Sequence, residues 1–168
     1  ELLPSLPLGD TIAATLGSST ELDRYAFTLG AATQVYFDAL TNNSNLRWSL
    51  NGPRGTVVSG RQFTSSDSLD NLSVFNLVAG DYELTVYGVA ASYQFRLLDL
   101  AQATELPLND TVTGQLNPAN ETDLYRFQAT AGEKLYFDRI SESGGKTYWR
   151  LLDPFGRTDD LQPPQQTW

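Results

Sequence analysis

Apolar and polar residues alternate with a period of two through most of the chain, the spacing that puts every second side chain on one face of a β-strand. Tyr25, Phe27 and Leu29 alternate with Arg24, Ala26 and Thr28, and Val35, Phe37 and Ala39 alternate with Tyr36 and Asp38. Leu46, Trp48 and Leu50 follow, then Tyr82, Leu84 and Val86, then Tyr93, Phe95 and Leu97. Turn-forming clusters separate these runs, among them Gly17-Ser18-Ser19, Asn42-Asn43-Ser44, Asn51-Gly52-Pro53 and Ala79-Gly80-Asp81. Helical spacing is nearly absent. The pattern predicts about eight short strands, each with one apolar face, in an antiparallel β-sandwich.

The pattern also repeats. Leu6-Pro7-Leu8 and Asp10-Thr11 return as Leu106-Pro107-Leu108 and Asp110-Thr111; Glu21, Asp23, Tyr25 and Phe27 return as Glu121, Asp123, Tyr125 and Phe127. Tyr36-Phe37-Asp38 returns as Tyr136-Phe137-Asp138, all at an offset of 100 residues. Roughly two in five positions between Leu6 and Asp38 are identical in the copy. After a one-residue insertion, Trp48, Leu50, Pro53 and Gly55 match Trp149, Leu151, Pro154 and Gly156. The period suits a bead-like domain better than a solenoid unit. It predicts one complete sandwich over residues 1–100 and a partial second one over 101–168 that lacks its C-terminal strands. The second copy is expected to begin with strands from Thr111 to Leu116, Leu124 to Ala129, Glu133 to Ile140 and Thr147 to Leu152. The linking stretch Asp99 to Glu105 holds no Gly or Pro, so the units should sit close together. With no start Met and no leader, the chain reads as a piece of something longer.

Composition narrows the chemistry. The chain has no Cys, Met or His, which removes thiol nucleophiles, disulfides, the usual zinc ligands and the imidazole base. Acidic residues outnumber basic ones 20 to 11, for a formal charge of −9. Phosphate backbones and anionic lipid would repel such a chain, whereas hard cations would be attracted. No apolar run is long enough to span a bilayer, so membrane insertion is not expected.

The order of motifs resembles the bacterial pre-peptidase C-terminal domain family. The resemblance rests on Asp23 before Tyr25 and Phe27, the strand Val35 to Leu40, the turn Asn51 to Gly55, and Gly80-Asp81-Tyr82-Glu83-Leu84-Thr85-Val86. Asp153-Pro154-Phe155-Gly156 supplies a second turn of the same kind. It implies a jelly-roll-like sandwich, appended to secreted proteases or strung through large surface proteins, hence an extracellular location. Some members bind collagen or polysaccharide, and some hold calcium with acidic residues ahead of the first strand and the aspartate before Tyr-x-Phe. That aspartate carries over to Asp23 and Asp123, each with a glutamate two residues earlier, so Glu21, Asp23, Glu121 and Asp123 are the candidate calcium ligands. The upstream cluster is thin: Glu1 lies far off in the first unit, and Glu105 and Asp110 are isolated in the second. The competing reading is a turn aspartate bonding to its own backbone.

Tyr36, Tyr87, Tyr136 and Tyr148 fall on the polar phase of their strands. Outward rings there would offer a stacking platform for sugar or peptide, or would pack against a neighbouring unit. Trp48 and Trp149 fall on the apolar phase and are expected in the core. No nucleophile–base pair emerges, so no catalytic residue is assigned and the chain is expected to be non-enzymatic. The expectation is an extracellular spacer or adhesive repeat of a large bacterial protein, with a carbohydrate- or matrix-binding module as the alternative. The open second unit is expected to promote self-association.

Overall fold

A computed structural model describes residues 2–67 and 74–159. The alternating runs become eight strands: β1 (Thr11–Leu16), β2 (Leu22–Leu29), β3 (Thr33–Ala39), β4 (Arg47–Gly52), β5 (Gly55–Gln62), β6 (Val74–Leu77), β7 (Gly80–Tyr87) and β8 (Ala91–Asp99). They form two four-stranded antiparallel sheets in the orders β1-β8-β3-β6 and β2-β7-β4-β5. This is the jelly-roll order, in which consecutive strands cross between sheets except at the β4–β5 hairpin, and the last two sit in the middle of each. β8 lies between β1 and β3, and β7 between β2 and β4.

The inner faces of the sheets meet in one core. Tyr25, Phe27, Phe37, Trp48, Leu50, Tyr82, Leu84, Val86, Tyr93 and Phe95 are all buried in it, as their strand phase predicts. Phe37 lies flat between Trp48, with ring centroids 3.9 Å apart, and Phe95, at 5.2 Å. A single 3-10 turn at Phe63–Ser65 closes the end of β5, placing Phe63 edge-on to Phe37 and Ser66 where its hydroxyl accepts the Trp48 Nε1–H at 2.6 Å. The one polar atom of the largest core side chain is thereby satisfied.

Residues 101–159 take another course. A 3-10 turn (Leu100–Gln102) leads into β9 (Thr104–Glu105), which pairs in parallel with β10 (Tyr125–Arg126); β11 (Leu151–Leu152) pairs with β12 (Thr158–Asp159). The four long strands expected between Thr111 and Leu152 are not formed; only these two-residue pairings are, among the described residues. Trp149, expected in a core, is 45 % exposed.

The topology of the sandwich explains both departures. Within it, β1, β2, β3 and β4 have no neighbours among themselves, since each pairs only with β5, β6, β7 or β8. Among the described residues, the matching runs in 101–159 have no counterpart of β6, β7 or β8 to pair with. The two pairings that remain are those needing no late strand. Glu105 opposite Arg126 lies 100 residues beyond the bridge of Ser5 and Ala26, also parallel. Leu151 opposite Asp159 lies 101 beyond Leu50 opposite Val58. Two hydrogen bonds recur at the 100-residue offset as well: Leu6 N–H to Ala26 O at 2.8 Å and Leu106 N–H to Arg126 O at 2.7 Å.

Candidate functional site

The outer face of the β1-β8-β3-β6 sheet carries a connected polar network. A strand with one solvated face would alternate in burial, but β3 is buried at every position from Val35 to Ala39. Residues 120–122 lie over its outer side, and the turn at Pro154 meets its Gln34 end. Asp38, fully buried, receives the Arg96 guanidinium through Nε at 2.9 Å and through a second nitrogen, and accepts the Thr122 N–H at 3.1 Å. Arg96 also reaches Glu121 at 2.8 Å and the Thr122 carbonyl at 3.3 Å. Tyr36 meets the Thr122 hydroxyl at 3.2 Å, and the Asn120 side chain donates to the Ala39 carbonyl. A charge held in this way loses its water but regains hydrogen bonds on both oxygens, which makes the arrangement costly to break from one side only.

A second clasp lies toward β6. Gln34 donates to the Pro154 carbonyl at 3.1 Å and Asn76 to the Phe155 carbonyl at 3.4 Å. Asp153 shapes the turn that presents them, accepting the N–H groups of Phe155 and Arg157, each at 2.9 Å. Gly156 ends it at φ +77°, where a Cβ would come within 3.1 Å of Val74. Conformation and space both require glycine there.

Burial pushes the Asp38 carboxyl up to about 6, against the opposing pull of Arg96. Asp67, whose carboxylate accepts the Ala39 N–H at 2.9 Å, is likewise raised by burial to about 6. Burial also lifts the Tyr36 hydroxyl to about 12.

The candidate calcium ligands are occupied otherwise. Glu21 accepts the Gly17 N–H at 2.6 Å and Glu121 the Asn117 N–H at 2.8 Å, so each closes the turn preceding it. Asp23 accepts the Tyr93 hydroxyl at 2.6 Å, and Tyr93 in turn meets Tyr25 at 2.6 Å. Burial and these hydrogen bonds drive the Tyr93 hydroxyl far above its ordinary range. Asp123 is exposed at the surface, its carboxyl raised first by partial burial and then by Glu121. Calcium takes six to eight oxygens, and no group of three or more acidic side chains converges among the described residues. This donor set does not fit the ion. Glu1 lies outside the described residues.

The four tyrosines do not form a platform. Tyr36 lies on the outer face but is only 5 % exposed, because residues 120–122 lie over its strand. Tyr87 is half-buried, with its hydroxyl beside Gly60. Tyr136 and Tyr148 are 76 % and 68 % exposed, and no ring contact joins any of the four among the described residues. Sequence reasoning overlooked Asp38 and Arg96 as a pair. The available signal was Asp38 itself, a charge in the middle of an otherwise apolar strand.

No protein-family model and no curated protein sequence matches the chain. Among solved structures, it is similar to the pre-peptidase C-terminal domain of collagenase from Bacillus anthracis: 20 % identity, TM-score 0.44, covering 58 % of this chain and 95 % of that one. It is also similar to PliG, a periplasmic inhibitor of g-type lysozyme from Salmonella Typhimurium: 17 % identity, TM-score 0.43, covering 57 % and 96 %.

Proposed function

We propose that this chain is a non-enzymatic extracellular repeat module, a spacer or adhesive segment of a large secreted or surface protein of bacteria. Residues 1–100 are one complete unit and 101–168 the opening part of the next. The observation that carries this reading is the clasp of Asp38, Arg96, Glu121 and Thr122, which locks the start of one unit onto the outer sheet of the other. A spacer needs a joint of fixed angle, and buried charge-assisted hydrogen bonds supply orientation where a flexible linker would not. Calcium takes no part in the reading.

Because the chain has no Cys, spin labels can be attached at Ser59→Cys and Gln128→Cys alone, one on each side of the joint. Pulsed dipolar spectroscopy should return one narrow distance distribution, broadened by Asp38→Ala. A broad distribution in the parent chain would defeat the spacer reading. The alternative, a carbohydrate- or matrix-protein-binding module, draws on the exposure of Tyr136 and Tyr148. Retention on a glycan or collagen array, lost on changing both to Ala, would favour it.

A further inference from the structure

We infer that the open edge of β2 at Glu21 and Leu22 is a docking site for the Asp38–Arg96 face of another unit of this kind, so that one unit carries both halves of the clasp. The inference rests on the reading of the chain as tandem units, and it names the surface that a unit turns towards its neighbour.

The segment that fills the Asp38–Arg96 face has a copy in the first unit. One oxygen of Glu121 accepts the Asn117 N–H at 2.8 Å, and the other holds Arg96 at 2.8 Å. The Glu121 N–H reaches the Pro118 carbonyl, also at 2.8 Å. One hundred residues earlier the turn is built alike. Glu21 accepts the Gly17 N–H at 2.6 Å through one oxygen, and its own N–H reaches the Ser18 carbonyl at 3.3 Å. The second oxygen of Glu21 meets no cation among the described residues.

The backbone that follows faces the same way in both copies. Thr122 gives its N–H to Asp38 and its carbonyl to Arg96. In β2, Ala26 directs its N–H to Pro4 at 2.9 Å and its carbonyl to the Leu6 N–H at 2.8 Å, both away from β7. Backbone groups alternate sides along a strand, so Leu22, four residues earlier, points its N–H and carbonyl off the same edge. β2 ends its sheet, and the segment Pro4–Leu6 lies on that edge at Ala26. An incoming aspartate would accept the Leu22 N–H, and an incoming guanidinium would be held by Glu21 and the Leu22 carbonyl. The Thr122 hydroxyl has no equivalent. Leu22 stands there, 50 % exposed, and would cover the Tyr36 ring of the arriving face.

The test uses residues 1–100, which close on themselves: β1 to β8 pair only with one another, and the core runs from Leu6 to Leu97. Without residues 101–168 this fragment presents both halves and should associate head to tail. A contact held by a short linker works at a local concentration of about millimolar, so the untethered contact should have a Kd of about 1 mM. Sedimentation at stepped concentration should show the association, and NMR should show the amides of Glu21, Leu22, Asp38 and Arg96 shifting together. Glu21→Gln and Arg96→Ala should each weaken it at least about tenfold. Mixed, the two variants should form a one-to-one dimer and nothing larger, because each keeps the half that the other lacks. The 168-residue chain, its own Asp38 face filled, should bind the Glu21→Gln fragment and not the Arg96→Ala fragment. A fragment that stays monomeric at about 5 mM would overturn the inference. So would association indifferent to both substitutions, or shifts confined to β5 or β6, which would mark plain strand addition. A monomeric fragment beside a narrow spin-label distance in the whole chain would remove this inference and leave the spacer reading standing.

Discussion

Residues 11–99 and 101–159 spell much the same strands, yet only the first region pairs them. Tyr36 is 5 % exposed and Tyr136 76 %; Trp48 is fully buried and Trp149 45 % exposed. Identical residues in the same alternating frame thus meet opposite environments. What differs is that residues 11–99 include β6, β7 and β8, whereas the described residues 101–159 reach no counterpart of them. Alternation sets which face of a strand is apolar, and burial follows only when a partner strand arrives. The features common to both regions are the local ones: the glutamate closing its own turn, the parallel bridge and the short β4–β5-type ladder.

The sharpest way to break the comparison is at the paired tryptophans. Trp48→Ala should cost about 3–5 kcal/mol in urea denaturation, because a buried ring in van der Waals contact with Phe37 leaves a cavity. Trp149→Ala should shift the same transition by less than about 1 kcal/mol. Equal losses would mean that both regions share one core. Next in size is Asp38→Ala, which strands Arg96 and the Thr122 N–H and should remove about 2–4 kcal/mol. Hydrogen exchange should then rise in residues 120–126 before it rises in β2 or β7. Smaller still is Tyr93→Phe, at about 1.5–2 kcal/mol for the loss of the hydroxyl's bonds to the Asp23 carboxylate and to Tyr25. The smallest effect is a slope. The folded-state values of Asp38 and Asp67 are raised, so the folded chain binds protons more tightly than the unfolded one. Their contribution is complete below about pH 4 and is lost as pH rises through about 6. Asp67→Asn should flatten the fall in stability between pH 4 and pH 7, as followed by denaturation at stepped pH.

Much of the first region was legible because its information is local. Each apolar phase from Tyr25 to Phe95 points inward as its spacing predicts, and eight strands form where turn residues bound them. The site was less legible because its information is not local. Tyr36 and Asp38 sit on the polar phase of β3, and polar phase predicts solvent only when nothing covers the sheet. Their cover comes from Asn120, Glu121 and Thr122, more than 80 residues away in sequence. The acidic pairs misled for a related reason. A carboxylate two residues ahead of another suggests a cation site, but Glu21 turns back to Gly17 while Asp23 turns inward to Tyr93. Nor could alternation reveal that Trp149 would lack a roof, since its phase is the same as that of Trp48.

The strand order has a consequence in time as well as in space. A chain emerging from its N-terminus delivers β1 to β5 first, and of these only β4 and β5 are neighbours. Thr11 must wait for Arg96, its partner across the ladder, and Asp23 for Val86. At about 5–20 residues per second of synthesis, the nascent sandwich stays open for several seconds after its first strands appear. Its apolar edges are available to chaperones and proteases throughout that interval. Residues 80–99 close both sheets at once, so the sandwich is finished abruptly, from its trailing end.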